Sequence, residues 1–302
     1  MQKIHYIERL TGRECVEQVY GEKAVRLVYG EGIFSKVLFK CLLPFVDGLF
    51  SKVYGCLQKT SLSQKKIRPF IDAYQIDESE FADPVASFRS FNDFFIRKLK
   101  PSCRPVDPDH RKAVLPADGR YLAYQNVCEA PGFFIKGQTF SLSTLLNNSV
   151  LARRYEEGSM VIARLCPTDY HRFHFPCQGV ASKPHLINGP LYSVNPMALR
   201  KHLSILWENK RFVTEIDSPE FGTVLVVEIG ATAVGSVHQT YEPNQPVQKG
   251  QEKGYFSFGG SCLVLLFEKG RIQLDADLLA NSSRYLETYA HFGESLGAAR
   301  LV

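Results

Sequence analysis

No CxxC pair occurs among the eight cysteines (15, 41, 56, 103, 128, 166, 177, 262), and they form no compact framework. That spacing excludes a zinc cluster or a thioredoxin-type motif, so the thiols are expected to be reduced, in a cytosolic setting, with no structural metal. No segment reaches the roughly 18–20 apolar residues that span a bilayer. The uncharged run Gly137–Ala152 is rich in Ser, Thr and Asn and would make a poor span. The start, MQKIHYIERLTGREC, has charges every few residues and no apolar stretch, which excludes a secretory signal there. No GxGxxG is present; Ile229–Ser236 is glycine-rich, but no evident helix follows, which argues against a dinucleotide site. There is no internal repeat.

What is present is globular: 45% of the residues are apolar and 22% charged. The net charge of +5 is too mild to announce a nucleic-acid partner. It is also local. Residues 33–68 carry seven basic groups against Asp47 alone, while residues 1–32 balance to zero. Within the basic stretch, Phe34, Leu38, Cys41, Leu42 and Phe45 fall on one helical face, with Lys36 and Lys40 opposite. Pro44 should kink or end that helix, and Leu49, Val53 and Leu57 continue an apolar stripe in a second. Two core-packing helices with solvated lysines fit this pattern. So does an amphipathic hairpin lying on an anionic membrane.

Along the chain, residues 1–32 read as an irregular lead-in with a helical part near 22–28, and helical signals run on to about Ile67. Short helices are expected over 69–82 and 91–99, then a stiff link at Pro101, Pro105 and Pro108. After Val114, short Val/Ile/Tyr/Phe runs alternate with Gly, Pro and Asn turns, ending in a helical tail near 278–296. The expected fold class is α+β: an N-terminal helical, membrane-associating region (1–105) and a β-rich catalytic core (106–302).

Reactive side chains concentrate at a few points. Asp118 sits in Pro116-Ala117-Asp118-Gly119, where an ordinary turn with a self-capping carboxylate is one reading. His171 and His174 lie three residues apart among aromatics, able to share a face on a turn or helix but not on a strand. No third ligand at useful spacing supports a metal. In Phe258-Gly259-Gly260-Ser261-Cys262, two glycines permit unusual backbone angles and leave the Gly260 carbonyl without a shielding side chain. A serine after such a carbonyl can attack it if a base takes its proton; a simple bulge is the bland alternative. Asp118, His174 and Ser261 therefore offer carboxylate, base and nucleophile.

These residues, with the segments around them, resemble the phosphatidylserine decarboxylase family over nearly the whole chain. The match includes Tyr6–Gly12, Phe94–Pro101 with Arg104-Pro105, Pro116–Gly119, Ile135–Gly137, Asp169–His174, Ser193–Pro196, Gly230–Thr232, Phe258–Ser261 and Leu265–Gly270. One departure lies at the cleavage motif, usually LGST or a Gly-Ser-Ser form. Gly259 stands before Gly260-Ser261 here, and Cys262 follows. The serine and the bond before it are retained.

The resemblance implies that Asp118 orients His174, and that His174 deprotonates Ser261. Ser261 then attacks the Gly260 carbonyl, and the precursor separates into residues 1–260 and 261–302. Ser261 becomes a pyruvoyl group, a covalent cofactor that forms a Schiff base with the substrate amine; no metal or nucleotide is implied. His171 matches the residue that assists protonation after CO₂ loss. The expected product is phosphatidylethanolamine, for phospholipid biosynthesis. The core is expected to resemble barrel-sandwich hybrid domains, and processed protomers to form a homodimer. Phosphatidylserine lies in an anionic leaflet, where each nearby Lys or Arg contributes roughly 1 kcal/mol. Residues 33–66 are thus expected to dock a peripheral enzyme on the cytoplasmic face of the cell membrane, through Phe34, Lys36, Leu38, Lys40, Leu42 and Phe45. Two other readings stay open: a serine hydrolase or esterase acting on an external substrate, and a non-catalytic lipid-binding β-domain.

Overall fold

The computed structural model describes residues 4–18, 53–129, 141–199, 202, 204–231, 237–259 and 261–300. The six residues expected to dock on membrane, the helical part near 22–28, Ile135–Gly137 and Gly260 lie outside them.

The architecture is mixed α+β around an eleven-stranded sheet. Its centre runs Arg211–Ser218, Gly222–Gly230, Ser261–Phe267, Ser159–Leu165 and Gly119–Tyr124, each antiparallel to the next. Period-two alternation splits these strands between two cores. Leu263, Leu265 and Phe267 join Val161, Ala163 and Val226 on one face. Cys262, Val264 and Leu266 join Met160, Ile162 and Val227 on the other. Because both faces are covered, SCLVLLF reads as a continuous apolar run with every residue buried.

The first core is closed by two three-stranded sheets and by the helix Ala276–Ser283. One small sheet is Val237–Gln239, Glu252–Phe256 and Arg172–His174; the other is Ile272–Leu274, Ser295–Ala299 and Lys112–Val114. Short helices at Leu142–Leu146, Ser149–Arg153 and Ile205–Glu208 cover the second.

Helices do occupy 53–58, Ile67–Tyr74 and Phe91–Phe95. The last starts where Ser90 Oγ accepts from the Asp93 amide at 3.1 Å, while the Asp93 carboxylate accepts from the Arg89 amide at 2.9 Å. Phe70, Phe81, Phe88, Phe91, Phe94 and Phe95 then form a third, aromatic core that takes in Phe258.

Two expectations need correction. The lead-in is not irregular over its described part: His5–Glu8 and Glu14–Val16 are strands of the main sheet. The first pairs in parallel with Glu287–Ala290, with Tyr6 opposite Glu287, a partner no local pattern can reveal. The tail is not one helix. Ala276–Ser283 is helical, but Glu287–Ala290 and Ser295–Ala299 are strands, recruited by pairing to Gly119–Tyr124 and Lys112–Val114.

Candidate active site

Strand register brings the predicted residues to one end of the main sheet. Ser261, first residue of its strand, pairs with Gly230 on one side and Leu165 on the other. Arg120 pairs with Arg164, so Gly119 lies beside Leu165, one strand further on. Asp118 immediately precedes this row, and the turn after Leu165 leads to His171 and His174. Gly119 fits because a Cβ there would lie 3.0 Å from the Arg164 carbonyl oxygen.

Ser261 is fully buried, and its Oγ has no hydrogen-bond partner among the described residues. Burying a hydroxyl unpaired costs about 1–3 kcal/mol, so such an atom calls for an explanation. The preceding segment is held on both sides of Ser257. The Phe256 amide donates to His171 O at 3.0 Å, and the Phe258 amide donates to Asn92 Oδ1 at 3.0 Å. Gly259 then adopts φ +137°, in the region that favours glycine, which supplies a physical reason for glycine at the position where the sequence departs from the family it resembles.

His171 is buried with its Nδ1 2.9 Å from the Asp169 carbonyl, which fixes the Nδ1–H tautomer and leaves the Nε2 lone pair free. Nε2 makes no hydrogen bond of ordinary geometry among the described residues, although the Gly259 backbone lies near enough to favour the charged form. Burial dominates and, with the nearby Arg97 cation, pushes the imidazole down to about 3. The Phe95 ring packs on it at 3.9 Å.

His174 follows the same design. Its Nδ1 faces the Pro116 carbonyl at 3.3 Å, and burial pushes its imidazole down to about 4. At neutral pH both histidines are uncharged and can accept a proton at Nε2. Because Arg172–His174 is a strand, their backbone does not present them on a common helical face. His171 lies just before that strand, and His174 is its last residue.

Asp118 is buried and does not hydrogen-bond His174 directly. Its oxygens accept from Arg104 Nε at 3.0 Å, Arg104 Nη2 at 2.7 Å and the Phe292 amide at 2.8 Å. Arg104 also pairs with Glu80 at 2.8 Å. A second buried network holds the histidine turn. Asp169 accepts from Arg120 at 2.8 Å and from the Cys166 amide at 2.6 Å. Glu17 joins Arg164 at 2.6 Å and Arg120 at 3.2 Å, tying the N-terminal strands to the site. Burial raises the Glu17 carboxyl, but Arg164 and Arg120 outweigh it and hold it down to about 2.

Sequence reasoning missed Arg104, Arg120, Asp169 and Phe292 as supports. The first three stood within or directly beside the matched segments; Phe292 carried no signal. No group of three or more His, Cys, Asp or Glu side chains able to hold a metal occurs among the described residues.

The phosphatidylserine decarboxylase family model matches residues 91–298. A phosphatidylserine decarboxylase proenzyme of Chlamydia pneumoniae is 45% identical over 302 residues, covering 99% of both chains. The proenzyme of Chlamydia muridarum is 51% identical over 251 residues, 83% of each chain. That of Chlamydia trachomatis serovar D is 44% identical over 292 residues, 97% of this chain and 96% of its own. The family model and the relatives together define a decarboxylating enzyme. The chain belongs to the phosphatidylserine decarboxylase family.

Proposed function

We infer that the chain is a self-processing proenzyme whose mature form converts phosphatidylserine to phosphatidylethanolamine and CO₂. The observation that carries the reading is the Ser261 hydroxyl, buried and without a hydrogen-bond partner among the described residues, at the sheet end that Asp118 and the segment 169–174 adjoin. A hydroxyl without exposed surface suits attack on the carbonyl before it better than attack on an external ester, which disfavours the hydrolase reading.

His174 Nε2 takes the Ser261 proton, Oγ attacks the Gly260 carbonyl, and the acyl group moves from nitrogen to oxygen. Elimination of that ester releases residues 1–260 as a carboxylate and leaves residue 261 as dehydroalanine, whose imine form takes up water and loses ammonia to give a pyruvoyl group at the new terminus of 261–302. The setting fits that small group: it needs a dry position at a chain end, and residue 261 is fully enclosed at the start of a strand. When formed, the group supplies an electrophilic carbonyl that serves as an electron sink for carboxylate loss. His171 would take up a proton that the substrate ammonium gives up and deliver it in place of CO₂; its site keeps Nε2 unprotonated until then. The nearness of Gly259 to His171 favours a second assignment, in which His171 is the cleavage base.

Intact-mass measurement of purified protein tests the reading. Two chains breaking between 260 and 261, the smaller with a blocked terminus, are expected, and Ser261→Ala should give one uncleaved chain. Unsubstituted protein that stays whole would overturn self-processing. His171→Ala should cleave but not decarboxylate; loss of cleavage instead would exchange the two histidines' roles.

The division into a membrane-associating region, 1–105, and a catalytic core, 106–302, belongs to the same proposal, although residues 5–16 structurally join the core sheet. Docking on an anionic leaflet is supported at the edge of the basic stretch. Val53, Leu57 and Leu62 are exposed beside exposed Lys59, Lys65 and Lys66. No helix among the described residues is long and apolar enough to cross a membrane. Sedimentation should show binding to phosphatidylserine vesicles, weakened by salt and absent with neutral lipid; salt-independent or absent binding would remove this part. The cytoplasmic face as the docking side and a homodimer of processed protomers complete the proposal.

A further inference from the structure

Asp118 and His174 make no hydrogen bond with each other, yet both are in contact with one residue. The Phe292 ring lies flat on the His174 imidazole, with centroids 3.6 Å apart and planes 10° from parallel. The same residue's amide donates to Asp118 Oδ1 at 2.8 Å. Phe292 sits in the turn between Glu287–Ala290 and Ser295–Ala299. That turn has little freedom. Gly293 adopts φ +90°, its amide donates to Leu115 O at 3.1 Å, and a Cβ on it would lie 2.5 Å from the Pro105 carbonyl oxygen. On its far side Asp118 is gripped by Arg104, which is itself anchored by Glu80.

The remaining surroundings of the imidazole do not fix its plane as closely. Its Nδ1 contact with Pro116 O is long at 3.3 Å, and the Tyr170 ring is 6.0 Å away. The charges that act on it besides Asp118 are Glu252 and Arg172, which pair with each other at 2.9 Å.

We propose that Phe292 is a positioning residue through which Asp118 sets the plane and tautomer of His174: the carboxylate holds the Phe292 backbone, and the ring holds the imidazole. The inference rests on the reading of His174 as the base for cleavage before Ser261. It adds that the base is assembled from both sides of the bond it breaks, because Phe292 lies in the segment 261–302.

The test has two arms. In the full chain carrying Ser261→Ala, ¹⁵N-histidine NMR reports the His174 tautomer and titration directly. Phe292→Leu keeps the amide and removes the ring; Phe292→Tyr keeps both. A single Nδ1–H tautomer is expected in the parent and in Phe292→Tyr. In Phe292→Leu a mixture is expected, with the titration midpoint moved toward free imidazole. Asp118→Asn should produce the same change, and the double variant should add little to either single one. With Ser261 restored, Phe292→Leu should slow cleavage of freshly translated precursor roughly 10- to 100-fold, and Phe292→Tyr should remain near the unsubstituted rate.

Unchanged His174 signals in Phe292→Leu, equal losses in the Leu and Tyr variants, or independent effects of Asp118→Asn and Phe292→Leu would each overturn the proposal. Failure of the wider reading has a different signature: unsubstituted precursor would not cleave at all, while the NMR arm would still decide the role of Phe292.

Discussion

A buried imidazole with its Nδ1–H spent on a backbone carbonyl is a base by default, because its one free nitrogen carries a lone pair. Burial pushes His174 down to about 4, so it should stay unprotonated throughout the neutral range. Self-cleavage of translated precursor is accordingly expected to be flat around pH 7 and to fall as pH drops through about 4. A loss centred near the free imidazole value of 6.5 would mean that another group is the base. The same shifts act on stability. The unfolded chain protonates these two imidazoles near 6.5, but the folded chain does so only near 3 for His171 and 4 for His174. Between those values the unfolded state binds more protons, so stability rises with pH through that window. It is complete above 6.5 and is lost as pH falls toward 4, which melting of the Ser261→Ala chain between pH 4 and 7 should follow. Asp118, His171, His174 and Ser261 could be singled out as candidates at this scale, since each stands in a distinctive local setting. Phe292 was not, because its partners lie more than a hundred residues away and a lone phenylalanine is ordinary core.

Between elements, a buried ion pair joins the main sheet to the small sheet bearing His174. Lys253, on Glu252–Phe256, reaches Glu228 on Gly222–Gly230, and its ammonium also donates to Thr214 and Gln239, each at 2.9 Å. Both charged residues are fully buried. Burial opposes charge on each partner, raising the Glu228 carboxyl and lowering the Lys253 ammonium, while their pairing works against both shifts. Lys253→Met would leave Glu228 buried without its partner and should destabilise the Ser261→Ala chain by about 3–5 kcal/mol. The double change Lys253→Met with Glu228→Leu should recover most of that loss. Denaturant unfolding measures both, and an equally unstable double variant would show that neighbouring polar groups, rather than the unpaired carboxylate, set the cost. Short strands were readable here from alternation, but their partners were not. That is why the lead-in and the tail were misread: an isolated three- or four-residue strand becomes regular only when another strand supplies its hydrogen bonds.

At the level of the whole molecule, the proposed cut falls at the mouth of a central strand. Ser261–Phe267 is hydrogen-bonded on both sides, to Gly222–Gly230 and Ser159–Leu165, and contributes to both sheet-face cores. Residues 261–302 should therefore remain bound to 1–260 after cleavage. The two fragments are expected to co-elute in size-exclusion chromatography and to separate only in denaturant; separation under native conditions would contradict this embedding. The sequence by itself determined the α+β class, the concentration of positive charge in 33–68 and the residue types available for chemistry, because composition, periodicity and adjacency are local properties. Only the tertiary structure decided that Gly119, Leu165 and Ser261 stand in one row, that Arg104 rather than His174 takes the Asp118 carboxylate, and that a C-terminal phenylalanine lies on the histidine. Those outcomes depend on strand register and on burial of charge, and both arise when segments distant in sequence exclude water together.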